Sequence, residues 1–257
     1  MAENLTSLTD PRGNTTIFIY NALNQLTQVT APPPFGFMTR HRYDANGNLV
    51  QTDRQATLTP PGAQPALGTT NPTDDWQSTL YTYTSLDQLA SITDDLNHTT
   101  QFGYDATGNR TTIMDAKSQV TTYAYDERNF LQRITDAATP AGVTTYLYDA
   151  NGNLASLTDA KTNPTTYTYD DFDRVSRMTY ADTTHEDYAY DKTSNLTSRT
   201  TPATQPITYS YDALNRLETK ITPSETATYT YDAASRLETA TNPTGTISHN
   251  YDPLGRL

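Results

Sequence analysis

A tyrosine returns along this chain on a beat of 20 to 23 residues, and no other feature constrains the fold as tightly. It falls at Tyr20, Tyr43, Tyr83, Tyr104, Tyr125, Tyr148, Tyr169, Tyr190, Tyr211, Tyr231 and Tyr251. From Tyr83 onward the steps are 21, 21, 23, 21, 21, 21, 20 and 20 residues. A fixed period of this size is the mark of a repeat architecture, in which one supersecondary unit stacks on copies of itself. Residues 1–257 therefore read as a single array of about eleven units, with one long step between Tyr43 and Tyr83.

The residue types that fill the period choose strand over disorder. Only 35% of the residues are hydrophobic and the mean hydropathy is −0.70, values that a disordered chain also shows. Disordered chains are poor in aromatic and β-branched residues, however. This one holds 19 tyrosines, and about a fifth of its positions are threonine, both suited to a pleated, half-buried surface. The expected class is all-β.

Each unit spells out a hairpin. In Thr165-Thr166-Tyr167-Thr168-Tyr169 the tyrosines alternate, which places both on one face of a strand. The inner position is Tyr81, Tyr123, Tyr146, Tyr167, Tyr188, Tyr209 or Tyr229 in seven units, Phe18 or Phe102 in two, and His41 or His249 in two. Four residues after the marker tyrosine stands Asn24, Gly47, Asp87, Gly108, Asn129, Gly152, Asp173, Ser194, Asn215, Ser235 or Gly255. Gly, Asn and Asp tolerate positive φ, so Ala-Asn-Gly-Asn and its variants predict tight hairpin turns of the primed or Gly-bulge kinds. The Asp that follows the marker tyrosine is expected to accept hydrogen bonds from backbone amides of that turn.

Past the turn comes an aliphatic residue, such as Leu49, Leu89, Leu131, Leu154 or Leu217, with Arg110 as the exception. A second apolar residue often follows three later, as in Ile92, Ile113, Ile134, Leu157 and Met178. A spacing of three does not keep both on one face of a regular strand. Either a bulge intervenes or both faces carry apolar residues. A Thr-Asp or Thr-Pro break then opens a looser turn before the next unit. Roughly 22 strands result in one antiparallel meander whose Tyr and Leu rows bury a continuous seam. Open twisted sheets rarely exceed ~10 strands without curling, so the meander is expected to coil into a spiral, shell or tube. The long step is read as a loop insertion over residues 54–78, rich in Pro and Gly, with Trp76 pinning it to the sheet, or alternatively as one degenerate repeat.

The pattern Tyr-Asp-x-x-Gly-Asn-Leu-x-x-x-Thr-Asp, closed by Thr-x-Tyr-x-Tyr-Asp, resembles the Rhs/YD repeat along essentially the whole chain. That repeat occurs in bacterial Rhs polymorphic toxins, in shell components of insecticidal Tc toxin complexes and in animal teneurins. The resemblance implies a non-catalytic β-sheet wall that encloses a toxin cargo, in an extracellular or cell-surface setting. It also admits an alternative, a carbohydrate- or cell-surface-binding module. The family's core region, rich in Asp-Pro-x-Gly-Leu and Asn-Asn-Pro elements and carrying aspartyl self-cleavage, is not found here; Asp252-Pro253-Leu254-Gly255 is an ordinary repeat turn. The first and last residues fall at the same phase of the repeat. The expected partners are therefore the rest of an Rhs-type shell and its cargo, or other copies joined head to tail through terminal strands as a filament.

Other function classes find little support. A net charge of −12 and a pI near 4.6 oppose nucleic-acid binding, which needs a basic footprint. No run of 18 apolar residues provides a membrane span. There are no cysteines for thiolate chemistry or disulfides. Of the four histidines, His41 and His249 occupy aromatic slots, and His98 and His185 sit in no metal-ligand spacing. No nucleophile elbow or phosphate-binding glycine loop appears. The chain is thus expected to be no enzyme, with no catalytic, cofactor-binding or metal-ligating residues.

Overall fold

The computed structural model describes residues 4–34, 36–56, 76–252 and 254–256, which form 22 strands and, among the described residues, no helix. Two compact units divide the chain at residues 141 and 142. The first holds β1 (Ser7–Thr9), β2 (Thr15–Tyr20), β3 (Leu26–Thr30), β4 (Met38–Tyr43), β5 (Leu49–Gln55), β6 (Trp76–Tyr83), β7 (Leu89–Thr93), β8 (Thr99–Tyr104), β9 (Arg110–Met114), β10 (Val120–Tyr125) and β11 (Leu131–Thr135). The second holds β12 (Val143–Tyr148), β13 (Leu154–Thr158), β14 (Pro164–Tyr169), β15 (Val175–Thr179), β16 (His185–Tyr190), β17 (Leu196–Thr200), β18 (Pro206–Tyr211), β19 (Leu217–Ile221), β20 (Thr226–Tyr231), β21 (Leu237–Asn242) and β22 (Gly245–Ser248). Within each unit every strand pairs antiparallel with its sequence neighbours, giving the predicted hairpin meander.

A bulge resolves the spacing of three. Tyr146 faces Leu157, Leu147 faces Ser156, and Tyr148 faces Leu154, so Ala155 is an extra residue with no partner across the ladder. One added residue turns an odd spacing into an even one. Leu154 and Leu157 therefore share a face and meet the two tyrosines of the paired strand. The same shift sits one residue before the marker tyrosine in β2–β3, β6–β7 and β8–β9 of the first unit and in β14–β15 and β20–β21 of the second.

The Tyr and Leu rows are half-buried, while residues between them such as Leu147 and Thr168 are exposed. Trp76 is the one fully buried apolar side chain among the described residues. The seam expected from sequence is thus a half-covered stripe on a single sheet. The expected loop insertion is narrower than 54–78: residues 54 and 55 end β5 and residues 76–78 begin β6. Residues 57–75, and any pinning of them by Trp76, lie outside the described residues. Trp76 itself packs under the guanidinium of Arg40, 4.6 Å from its ring centroid.

Candidate functional site

The tight turn is built by one carboxylate. In Asp149-Ala150-Asn151-Gly152-Asn153, the Gly152 amide donates to the Asp149 carbonyl at 3.2 Å and the Asp149 amide donates to the Asn153 carbonyl at 2.9 Å. That is a type I turn closed by a Gly bulge. The Asp149 carboxylate accepts the Asn153 amide at 2.9 Å and the Asn153 side-chain amide at 3.2 Å. All eleven residues at the fourth position after the marker tyrosine have positive φ, from Asp173 at 57° to Gly47 and Gly152 at 92°. Where Arg replaces Asn153, as in Arg174 and Arg216, the guanidinium grips the same Asp and holds its carboxyl below the usual carboxylate range.

The second turn is tighter than expected. The Asn97 amide donates to the Asp94 carbonyl, and the carboxylates of Asp10, Asp94, Asp115 and Asp159 hold their turns as Asp149 holds its own. Thr162, Thr183 and Thr204 take up positive φ there, although their β-branched side chains disfavour it. No Gly or Asn marks those three positions, which is why the sequence pattern read as loose.

The marker tyrosine joins one repeat to the next. Tyr169 Oη donates to the Leu154 carbonyl at 2.8 Å. Leu154 lies beyond the paired stretch of β13 and β14, which begins at Ser156 opposite Thr166, so the bulge leaves its carbonyl free for the hydroxyl. The same bond, at 2.8 to 3.1 Å, runs from Tyr20 to Leu5, Tyr43 to Leu26, Tyr83 to Leu49, Tyr104 to Leu89 and Tyr125 to Arg110 in the first unit. Tyr211 to Leu196, Tyr231 to Leu217 and Tyr251 to Leu237 continue it in the second. The latch uses only a backbone oxygen, so it works equally over Leu and over Arg110. Sequence reasoning assigned the ring a packing role and missed the hydroxyl; the invariance of Tyr, never Phe, at the marker position was the available signal.

A second link runs along the turns themselves. Asn48 Nδ2 reaches Asp87 Oδ1 at 2.7 Å, Asn109 reaches Asn129 at 2.7 Å, Asn153 reaches Asp173 at 2.6 Å, and Asn195 reaches Asn215 at 2.9 Å. Arg174 instead donates to the Asp191 carbonyl at 3.0 Å and lies 4.6 Å from the Tyr190 ring centroid. Each of these turns is thereby tied to its successor.

Two charged inserts depart from the repeat pattern, the first within the apolar stripe and the second on the opposite face of its strand. Glu186, 4% exposed, accepts two bonds from Arg199 at 2.7 and 2.9 Å, one from Tyr188 Oη at 2.6 Å and one from Tyr180 Oη at 3.1 Å. Arg199, ahead of the opposing burial and the two phenols, draws the Glu186 carboxyl down to about 2. Burial, reinforced by that carboxylate, pushes the Tyr188 phenol up to about 12. In the first unit, Asp53 is fully buried and accepts Gln51 Nε2 and Ser78 Oγ at 2.7 Å each, with Arg42 at 3.4 Å. Neither insert was anticipated, although Arg199 stands in the row where Leu157 and Met178 stand.

The histidines stay apart. His41 Nδ1 lies 3.2 Å from Thr52 Oγ1, and His249 stacks on Tyr251. His98 meets Asp94 at 2.9 Å in a turn, and His185 lies 3.5 Å from Asp187. No group of three or more His, Cys, Asp or Glu able to hold a metal ion occurs among the described residues. Among the described residues, no helix is long and apolar enough to cross a membrane.

Fold and links together define a tandem β-hairpin repeat scaffold, in which the conserved polar atoms of each unit are used by the next one. The RHS repeat profile matches residues 4–32, 83–113, 104–144, 148–185 and 190–227, and the chain belongs to that family. Among solved structures, a crystal structure of TcdB2-TccC3-Cdc42 is 17% identical over 95% of this chain, with a TM-score of 0.59. TcdB2-TccC3 without its hypervariable C-terminal region is 18% identical over 93% of the chain, with a TM-score of 0.58. A Tc holotoxin pore from Photorhabdus luminescens is 17% identical over 96%, with a TM-score of 0.54. This chain spans 16% of each of those chains. No curated protein sequence matches it.

Proposed function

We propose that residues 1–257 are one continuous array that builds a length of β-sheet wall in an Rhs-type shell, coiled around a toxin cargo outside the producing cell. The role is shielding, without turnover. The observation that carries this reading is where the reactive groups are used. Turn carboxylates hold backbone amides, marker phenols hold bulge carbonyls, and Glu186 is engaged by Arg199 and two phenols. Chemistry spent on the frame suits a barrier better than a catalyst. The match to Tc toxin structures over a small share of their length fits a segment of a larger wall.

Electron microscopy of the purified chain at low and high concentration tests the reading. Discrete particles of constant mass at both concentrations are expected of a wall segment. Filaments of constant width that lengthen with concentration would replace it with a head-to-tail polymer.

A further inference from the structure

The Tyr face carries one cavity that the repeat pattern does not account for. Across successive hairpins of the second unit, the inner row runs Tyr146–Leu157–Thr165, Tyr167–Met178–Glu186 and Tyr188–Arg199–Ile207. At the next two hairpins it becomes Tyr209–Lys220–Ala227 and Tyr229–Ala240–Ile247. The position of Leu157, Met178, Arg199 and Lys220 becomes Ala240, and that of Thr165, Glu186 and Ile207 becomes Ala227, on adjacent strands. The adjoining turns are also shorter: Thr222 bonds directly to Glu225, and Asn242 faces Gly245 across a two-residue turn. Lost side-chain volume and a lowered rim leave a cavity of about 450 Å³. That size falls in the range of small-molecule sites, ~300–1,000 Å³.

Its lining has a definite chemistry. Ala227 and Ala240 form the floor, and Tyr229 and Ile247 are apolar walls, Ile247 being 65% exposed. The rim holds one cation, Lys220, and one carboxylate, Glu225. Glu225 accepts a bond from Asn242 at 3.2 Å through one oxygen, and among the described residues Lys220 has neither hydrogen-bond nor ion-pair partner. The half-buried Lys220 beside an apolar floor favours an anionic partner, and none of the described residues supplies one. The chain as a whole is acidic, with a net charge of −12, so a ligand bearing only negative charge is repelled. A ligand bearing both charges is not.

We propose that this cavity binds a small amphoteric molecule, an apolar amino acid or dipeptide. Its carboxylate sits on Lys220, its ammonium on Glu225, and its side chain rests on the alanine floor between Tyr229 and Ile247. This goes beyond the wall reading and does not depend on it.

Calorimetric titration of the full chain with the zwitterionic dipeptide Gly-Leu tests the site. N-acetyl-leucinamide, which has the apolar body without the charges, and glucose serve as controls. Saturable binding of Gly-Leu in the millimolar range is expected, with neither control competing. Lys220→Met should weaken it at least about tenfold, as loss of a charged hydrogen bond does. Ala240→Leu gives this hairpin the residue that Leu157 supplies elsewhere, so it should fold normally, keep or raise the melting temperature, and abolish binding. Equal binding by either control, unchanged affinity in Ala240→Leu, or no saturable binding by the unmodified chain would each overturn the proposal. Should Ala240→Leu disturb folding, the Lys220→Met result decides alone.

Discussion

The hairpins β12–β13 and β16–β17 share a backbone and differ in what fills it. In the first, Tyr146 faces Leu157 and the stripe is apolar. In the second, Tyr188 faces Arg199, whose guanidinium is matched by Glu186 on the same strand as Tyr188. The bulge falls at the same place in both, one residue before Tyr148 and before Tyr190. The Asx turns of Asp149 and Asp191 are likewise the same. The frame is therefore specified by the turn, the bulge and the marker tyrosine, while the inner row is free to vary. Hydrophobic filling is one solution, a closed ion pair is a second, and the alanine floor at β20–β21 is a third.

The comparison breaks most sharply at Arg199. Arg199→Met should destabilise the chain by about 3–5 kcal/mol, because it strands a buried carboxylate without its cation. The double change Arg199→Leu with Glu186→Thr copies the β12–β13 filling, where Leu157 faces Tyr146 and Thr144 stands two residues before that tyrosine. It should be neutral or up to about 4 kcal/mol stabilising. Urea unfolding of the three proteins measures both. Similar losses in the single and double variants would mean that the frame does depend on its filling.

Acid sharpens the same contrast. The ordinary Glu value is 4.5, and in the folded chain Arg199 holds Glu186 at about 2. A carboxyl depressed by folding adds stability that is complete above its unfolded value and disappears as pH falls toward its folded one. The contribution is on the order of 3 kcal/mol, lost between about pH 4.5 and 2. The turn aspartates, also depressed, titrate in the same range, so the informative quantity is a difference. Melting temperatures of the unmodified chain and of Glu186→Gln should converge as pH drops through that window. Curves that stay parallel would mean the pair contributes little.

Much of this was legible in the residues. The Tyr beat, the Gly, Asn and Asp at the fourth turn position and the Asp before them carry backbone information, and the strands and turns follow from them. What escaped was set by partners distant in sequence. The Leu154–Leu157 spacing has two solutions, and only the paired register selects the bulge. The hydroxyl of Tyr169 finds a carbonyl 15 residues earlier, in another hairpin. Glu186 becomes buried only because Arg199 and Tyr180 converge on it from neighbouring segments. Thr162, Thr183 and Thr204 hid their turns because a β-branched residue seldom adopts the φ they hold.

The frame itself offers the smallest and most exacting comparison, between the two tyrosines of one strand. Tyr167 and Tyr169 lie on the same half-buried face, yet only Tyr169 donates to a carbonyl of the preceding hairpin. Removing the Tyr169 hydroxyl leaves the ring in place and the Leu154 carbonyl without its donor. That should cost about 1 kcal/mol, the net worth of one such bond. Tyr167→Phe removes a hydroxyl that makes no protein bond and should change stability by less than about 0.5 kcal/mol. Amide exchange adds a spatial readout: Tyr169→Phe should speed exchange in β13 and β14 around the latch, and Tyr167→Phe should not. Equal effects in the two variants would reduce the marker tyrosine to a packing residue. A larger loss at Tyr169 alone makes its hydroxyl the bond that joins one hairpin to the next.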